Sequence, residues 1–151
     1  MSVWRRLAFT AAMGVSACAG DDAAQPAPLD TRNDACAQCR MAVSTPIFAA
    51  QVAVPGEEPR FFDDIGCLAD WIRAGHAIPP GGRAFVADHR TRAWVAADAA
   101  IFTRARGLDT PMGSGLVAHE SAASRDQDAA ARGGEPVPAA DVLAGRAGTG
   151  R

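Results

Sequence analysis

The chain of 151 residues contains no lysine and no tyrosine, and its aromatic residues are three Trp and six Phe. All 15 basic side chains are therefore arginines, set against 17 acidic ones for a net charge of -2. That balance excludes a general nucleic-acid binder, which would present a basic stripe. No apolar run approaches the ~20 residues that a mature transmembrane helix needs. No phosphate loop, nucleotide fingerprint or Ser-His-Asp order is present. What the chain does contain is 35 alanines, 15 glycines, 10 prolines, four cysteines and four methionines. Its length allows one ordinary domain or two very small ones, enough for a modest core. The positions of the sulfur-bearing residues carry the information.

The first stretch reads as an address. Met1 to Arg6 holds two positive charges, Leu7 to Val15 is a short apolar run, and Val15-Ser16-Ala17-Cys18 closes it with small residues and a cysteine. This order describes an export signal. The Cys after Ser-Ala gives it the form of a bacterial lipoprotein signal over 1–17, with Cys18 lipidated as the mature start. Arg5-Arg6 is a weak twin-arginine candidate because its neighbours fit poorly. Residues 18–34, rich in Asp, Ala and Pro, are expected to form a flexible tether. Export also means that exposed thiols oxidise unless a metal or a reductant holds them.

The folded part is expected over 35–144, with a disordered tail over 145–151. Ile47 to Val54 reads as a strand, Pro55-Gly56 as a turn and Arg60 to Phe62 as a second strand. Asp63 or Asp64 then caps a helix from Ile65 to about Ala74, with Ile65, Leu68, Ala69 and Ile72 on one stripe. Ala84 to Ala87 follows as a strand. A fainter second pass has short strands at Ala93 to Ala96, Ala100 to Ala105 and Gly115 to His119. A helix is expected from about Ala122 to Arg132, and Ser124 and Gln127 would form a capping box if it starts at the later site. Glu135 to Pro138 is extended, and Asp141 to Ala144 adds a helical turn. The expected class is α+β, built as two small related β-β-α-β halves that share a core.

Chemistry concentrates at Asp34-Ala-Cys36-Ala-Gln-Cys39-Arg-Met41. A C-x-x-C loop lets two sulfurs converge on one ion, and a thioether two residues later can join them. Soft sulfur donors favour Cu(I), with Zn as the borderline competitor. A structural Zn knuckle wants four N or S ligands, while a plain disulfide or a redox dithiol would use the same spacing. A thioredoxin-like dithiol should sit between a strand and a helix, and here a strand follows. Metal, disulfide and redox readings all stay open on spacing alone.

Over Asp34 to Ser44 the sequence resembles the NosL-type copper lipoproteins, accessory factors of nitrous oxide reductase. Phe62-Asp63-Asp64-Ile65-Gly66-Cys67-Leu68, Trp94-Val-Ala-Ala-Asp98-Ala99 and Thr110-Pro111-Met112-Gly113-Ser114-Gly115 extend the resemblance to roughly Asp34 to Leu143. One departure is Arg40, where Gly is commoner in that family's C-x-x-C-G-M form. The resemblance implies a Cu(I)-binding chaperone, not an enzyme, anchored by a lipid on Cys18 to the periplasmic side of a bacterial membrane. It would deliver copper to nitrous oxide reductase or another exported copper enzyme, and no nucleic acid would take part.

The metal ligands expected are Cys36, Cys39, Met41 and Met112, with Cys67 and His119 in second place. Met112 lies between Pro111 and Gly113 with no obvious element to pack on, although Met also fills core gaps. Cys67 sits off the apolar stripe of its helix, as a ligand, a redox partner of the pair or a small buried hydrophobe. His76 and His89 lack a second ligand at helical or strand spacing and read as structural. Asp63-Asp64 reads as a helix-capping pair. Two further classes stand beside the chaperone. One is an extracytoplasmic thiol–disulfide oxidoreductase using Cys36 and Cys39 with Cys67 resolving; the other is a docking domain stabilised by structural Zn or a disulfide.

Overall fold

The computed structural model describes residues 23–149. The signal expected over 1–17 and the lipidation site Cys18 lie outside the described residues. Pro46 opens a single 3-10 turn over Pro46–Phe48, which is why the first strand, β1 (Ala50–Ala53), begins three residues later than its composition suggests. β2 (Arg60–Phe62) returns beside it, and α1 (Ile65–Arg73) follows at once. The cap of α1 is Asp64, whose carboxylate accepts from the Gly66 amide at 2.7 Å. β3 (Arg83–Ala87) then pairs with the free side of β1.

β4 (Trp94–Ala96) is the main departure in topology. It forms a hairpin with β3 and completes the first sheet, in the order β2-β1-β3-β4, instead of opening the second pass. The second sheet is β5 (Ile101–Arg104), β6 (Leu116–His119) and β7 (Glu135–Val137), in the order β6-β5-β7. All pairings within both sheets are antiparallel. The class is α+β, and both sheets follow one path: a central strand, a hairpin to one neighbour, a helix, and a return on the other side.

α2 (Ala122–Gln127) is half the helix expected. Its cap is Ser121, which accepts from the Ser124 amide, so the Ser124–Gln127 capping box does not form. Ser124 is buried and its hydroxyl donates to Asp88 instead. The helix stops at Asp128, whose backbone is extended and whose side chain is drawn to two histidines. α3 (Ala139–Leu143) contributes Val142 to the core.

One buried cluster draws on both sheets and on α1: Val52, Phe62 and Val86 meet Leu68, Phe102 and Leu116. Both ends of the described chain are seated on this body. The span expected as a tether is fixed from Ala24 onward, because the wholly buried Gln51 in β1 satisfies its amide on the Ala27 backbone, at 2.8 and 3.0 Å. The tail expected to be disordered is also corrected through residue 149. Ala147 is buried, its carbonyl accepts from Arg104, and Thr149 binds the Asp70 carboxylate on α1. These anchors are single polar side chains far away in sequence, which composition does not reveal.

Candidate metal centre

The cysteine loop is a tight hairpin docked on the edge of β2. The Cys36 amide donates to the Met41 carbonyl at 2.8 Å and the Val43 amide to the Asp34 carbonyl at 3.0 Å, closing the loop on itself. The Ala37 amide donates to the Phe61 carbonyl at 2.8 Å, which fixes the loop to the sheet. Reversal of the chain leaves Arg40 in the left-handed region, at φ 69°. This docking buries Cys36 completely, leaves Cys39 half-buried and puts Met41 outside, 57% exposed.

Cys67 arrives from the first turn of α1, and Asp63 from the junction of β2 and α1. The donor atoms of Cys36, Cys39, Asp63 and Cys67 all lie within 4.8 Å of one another. The Cys39 thiol stands 3.5 Å from both Asp63 oxygens, and the Cys39 amide donates to the Cys36 sulfur at 3.5 Å. The three cysteines are free thiols. Cys67 thus stands on the same footing as the C-x-x-C pair. Asp63 was missed by sequence reasoning, although a signal existed: one helix needs only one cap, so one of two successive aspartates is left for other work.

The thiols are not equivalent. A hydrogen bond from the Cys67 thiol brings the Cys36 thiol down to about 6 against the opposing effect of burial. The Cys67 thiol is itself pushed up, first by donating that bond and then by burial. Burial raises Cys39 to about 11, and the neighbouring Cys36 sulfur and Asp63 carboxylate add to it. Of the three thiols, Cys36 is therefore the one that ionises most readily.

The second sulfur loop is strapped to the same end of α1. Asp64, adjacent to Asp63, accepts from the Thr110 hydroxyl at 2.6 Å, the Ser114 hydroxyl at 2.5 Å and the Met112 amide at 3.0 Å. Gly66 makes room for this strap: a Cβ there would stand 2.6 Å from that of Ser114. Met112 is half-buried and packs against the core cluster. Between the two loops lies an open cleft of about 460 Å³, lined by Met41, Phe48, Asp63, Thr110 and Pro111 among others. His119 is not part of this centre. It groups with His89 and Asp128, and His76 stacks on Trp71 with ring centroids 4.7 Å apart.

A thiolate-bound ion holds its sulfurs at ~2.3 Å, so ligands around it stand roughly 4 Å apart. Donors already within 4.8 Å reach that spacing with side-chain shifts on the order of 1 Å. Three soft donors and one carboxylate suit a thiophilic ion, and the cleft reaches this cluster at Asp63. The NosL family model matches residues 26–145. No curated protein and no solved structure matches the chain.

Proposed function

The chain belongs to the NosL family, and from that premise we propose that it is an extracytoplasmic Cu(I) chaperone and not an enzyme. The observation that carries this reading is the convergence of three thiols on Asp63, which itself lines an open cleft together with the exposed Met41. Copper is the cargo. The exposed Met41 and the half-buried Cys39 meet the ion first, Cys36 is the thiol that ionises most readily, and Cys39 and Cys67 give up their protons as the ion settles. Met41 and Met112 supply thioethers from the loops on either side of the cleft. A site with few soft ligands and an open face releases its ion to a better-chelated acceptor, and an exported copper enzyme, nitrous oxide reductase first, is the acceptor proposed. A lipid on Cys18 would hold the chaperone at a bacterial membrane; among the described residues no helix is long and apolar enough to cross one.

The distribution of charge favours metal capture over disulfide exchange. A reactive dithiol needs its low-pKa thiol exposed to the incoming disulfide. Here the lowered thiol, Cys36, is fully buried, and the accessible one, Cys39, is raised. Titration of the reduced protein with Cu(I) against a competing chelator tests the proposal. Stoichiometric binding is expected, weakened by about 100-fold or more in Cys36→Ser and in Cys67→Ser, since even indirect partners of a ligand contribute 10–100-fold. Wild-type affinity in both variants, or catalytic turnover of disulfide substrates, would sink it.

A further inference from the structure

A second group of ligand-type side chains meets where the loop after β3 reaches the end of β6 and the C-terminal end of α2. His89 Nδ1 stands 2.6 Å, and His119 Nε2 2.8 Å, from one and the same oxygen, Oδ2 of Asp128. The three donor atoms lie within 4.8 Å of one another. His119 is wholly buried, the Asp128 side chain is 8% exposed and that of His89 12%. The other Asp128 oxygen accepts from the Ala130 amide at 2.8 Å, which holds the carboxylate in place. The His89 backbone donates to the Ala118 carbonyl, and its ring rests against Phe48 with centroids 5.3 Å apart. The constellation is therefore held by three separate elements and does not depend on flexible surface chains.

A structural ion pair needs one imidazole for one carboxylate. Here two rings aim a nitrogen at a single oxygen, which without a cation requires both to carry their proton on that side. No other group imposes that tautomer on His119, because its Nδ1 is buried and unpartnered. Two imidazoles and a carboxylate converging with one side less buried form the three-ligand set that zinc takes when it keeps a further position open. Sulfur is absent from the cluster, so it would not compete for Cu(I) with the cysteines.

We propose that His89, His119 and Asp128 form a second metal site, selective for a borderline divalent cation such as Zn(II) and separate from the thiol centre. Binding replaces the two N–H···O bonds with two N–metal bonds and one O–metal bond. Each ring gives up to solvent the proton it aimed at Asp128; a ring that was neutral takes one up on its other nitrogen, and a ring that was doubly protonated needs none, so the net release is any proton held beyond one per ring. His89 faces the entry side.

Co(II), as a spectroscopic stand-in for Zn(II), tests this on the full reduced chain. Thiolate-bound Co(II) shows an intense charge-transfer band in the near ultraviolet, whereas an imidazole and carboxylate site shows only the weaker visible bands. The expected result is an equivalent of Co(II) bound without the sulfur band and displaced by Zn(II). His89→Gln should weaken that equivalent by more than about 100-fold and leave the sulfur signal unchanged. Because His119 is fully buried, Asp128→Asn serves as the second variant. If every bound Co(II) shows the sulfur band, or if sulfur-free binding survives both substitutions, the site does not exist. Neither outcome depends on whether the cysteines take up copper.

Discussion

At the scale of single residues, the two cysteines of the C-x-x-C loop have been driven apart by their surroundings. Cys36 accepts a hydrogen bond from Cys67 and titrates near 6, while Cys39 is held up to about 11. The sign of the consequence for stability follows. A thiol lowered from its ordinary value near 9 stabilises the folded chain fully above that pH, and the contribution disappears as pH falls through about 6. Ultraviolet thiolate absorbance of the metal-free protein should therefore show one thiol ionising near 6 and no other below neutrality. Cys67→Ala removes the donor, so the Cys36 midpoint should climb toward its ordinary value; a midpoint that stays near 6 would mean another cause. Metal uptake must expel the Cys39 proton, so apparent affinity should increase with pH across the neutral range. The cysteines were legible at this scale because spacing alone brings Cys36 and Cys39 together. The place of Cys67 in the cluster was legible only as an off-stripe position, and Asp63 was hidden behind the more obvious capping role of its neighbour.

At the scale of elements, Asp64 does several jobs with one carboxylate. It caps α1 and strings the Thr110–Ser114 loop onto the same helix end through two hydroxyls and the Met112 amide. Removing it by Asp64→Ala leaves several buried donors without partners, each costing ~1–3 kcal/mol. A total loss of at least about 3 kcal/mol is expected from denaturant unfolding. Hydrogen exchange provides the more specific check: the Met112 amide should lose its protection while β5 keeps its own. Met112→Leu separates the two roles of that residue. It keeps volume, at a cost usually below ~1.5 kcal/mol, and removes the sulfur, so a ligand role lowers Cu(I) affinity with little change in melting. Strands and α1 could be read from period and turn residues, within a residue or so at β2 and β3. The shortened α2 could not, since its stop is set by His89 and His119, remote residues that claim Asp128 for their own hydrogen bonds.

At the scale of the whole molecule, Asp88 is a principal polar tie between the two sheets. It leaves the end of β3 and accepts from the amides of Arg90, Thr91 and Glu120 and from the Ser124 hydroxyl. Burial alone would raise its pKa, but these four bonds prevail and bring it from 3.8 to about 2. A carboxyl lowered in this way stabilises the fold fully above its ordinary value, and that part is lost as pH falls through about 2. The loss amounts to about 2 kcal/mol. Acid unfolding should show this step between those limits, and Asp88→Asn should remove it while lowering stability at neutral pH. The pairing of sheets was only partly legible. The order of strands and helices suggested two similar passes, but the assignment of β4 to the first sheet depends on its hairpin with β3, which three weak residues, Trp94 to Ala96, do not announce. The anchoring of both chain ends depends on Gln51 and Asp70, polar residues in otherwise apolar elements.

Arg40 invites an evolutionary reading. Its backbone lies in the left-handed region at φ 69°, where an L side chain costs about 1–2 kcal/mol and glycine costs nothing comparable. Every arginine codon becomes a glycine codon by a single base change, so relief from this strain lies one mutational step away. Selection on folding alone should take that step readily. A library varied at position 40 and sorted first for folded protein, then for growth under copper limitation, would separate the two pressures: enrichment of Gly in the first sort and return of Arg in the second would mark the guanidinium as kept for copper traffic. Gly prevailing in both would make Arg40 a tolerated burden of descent.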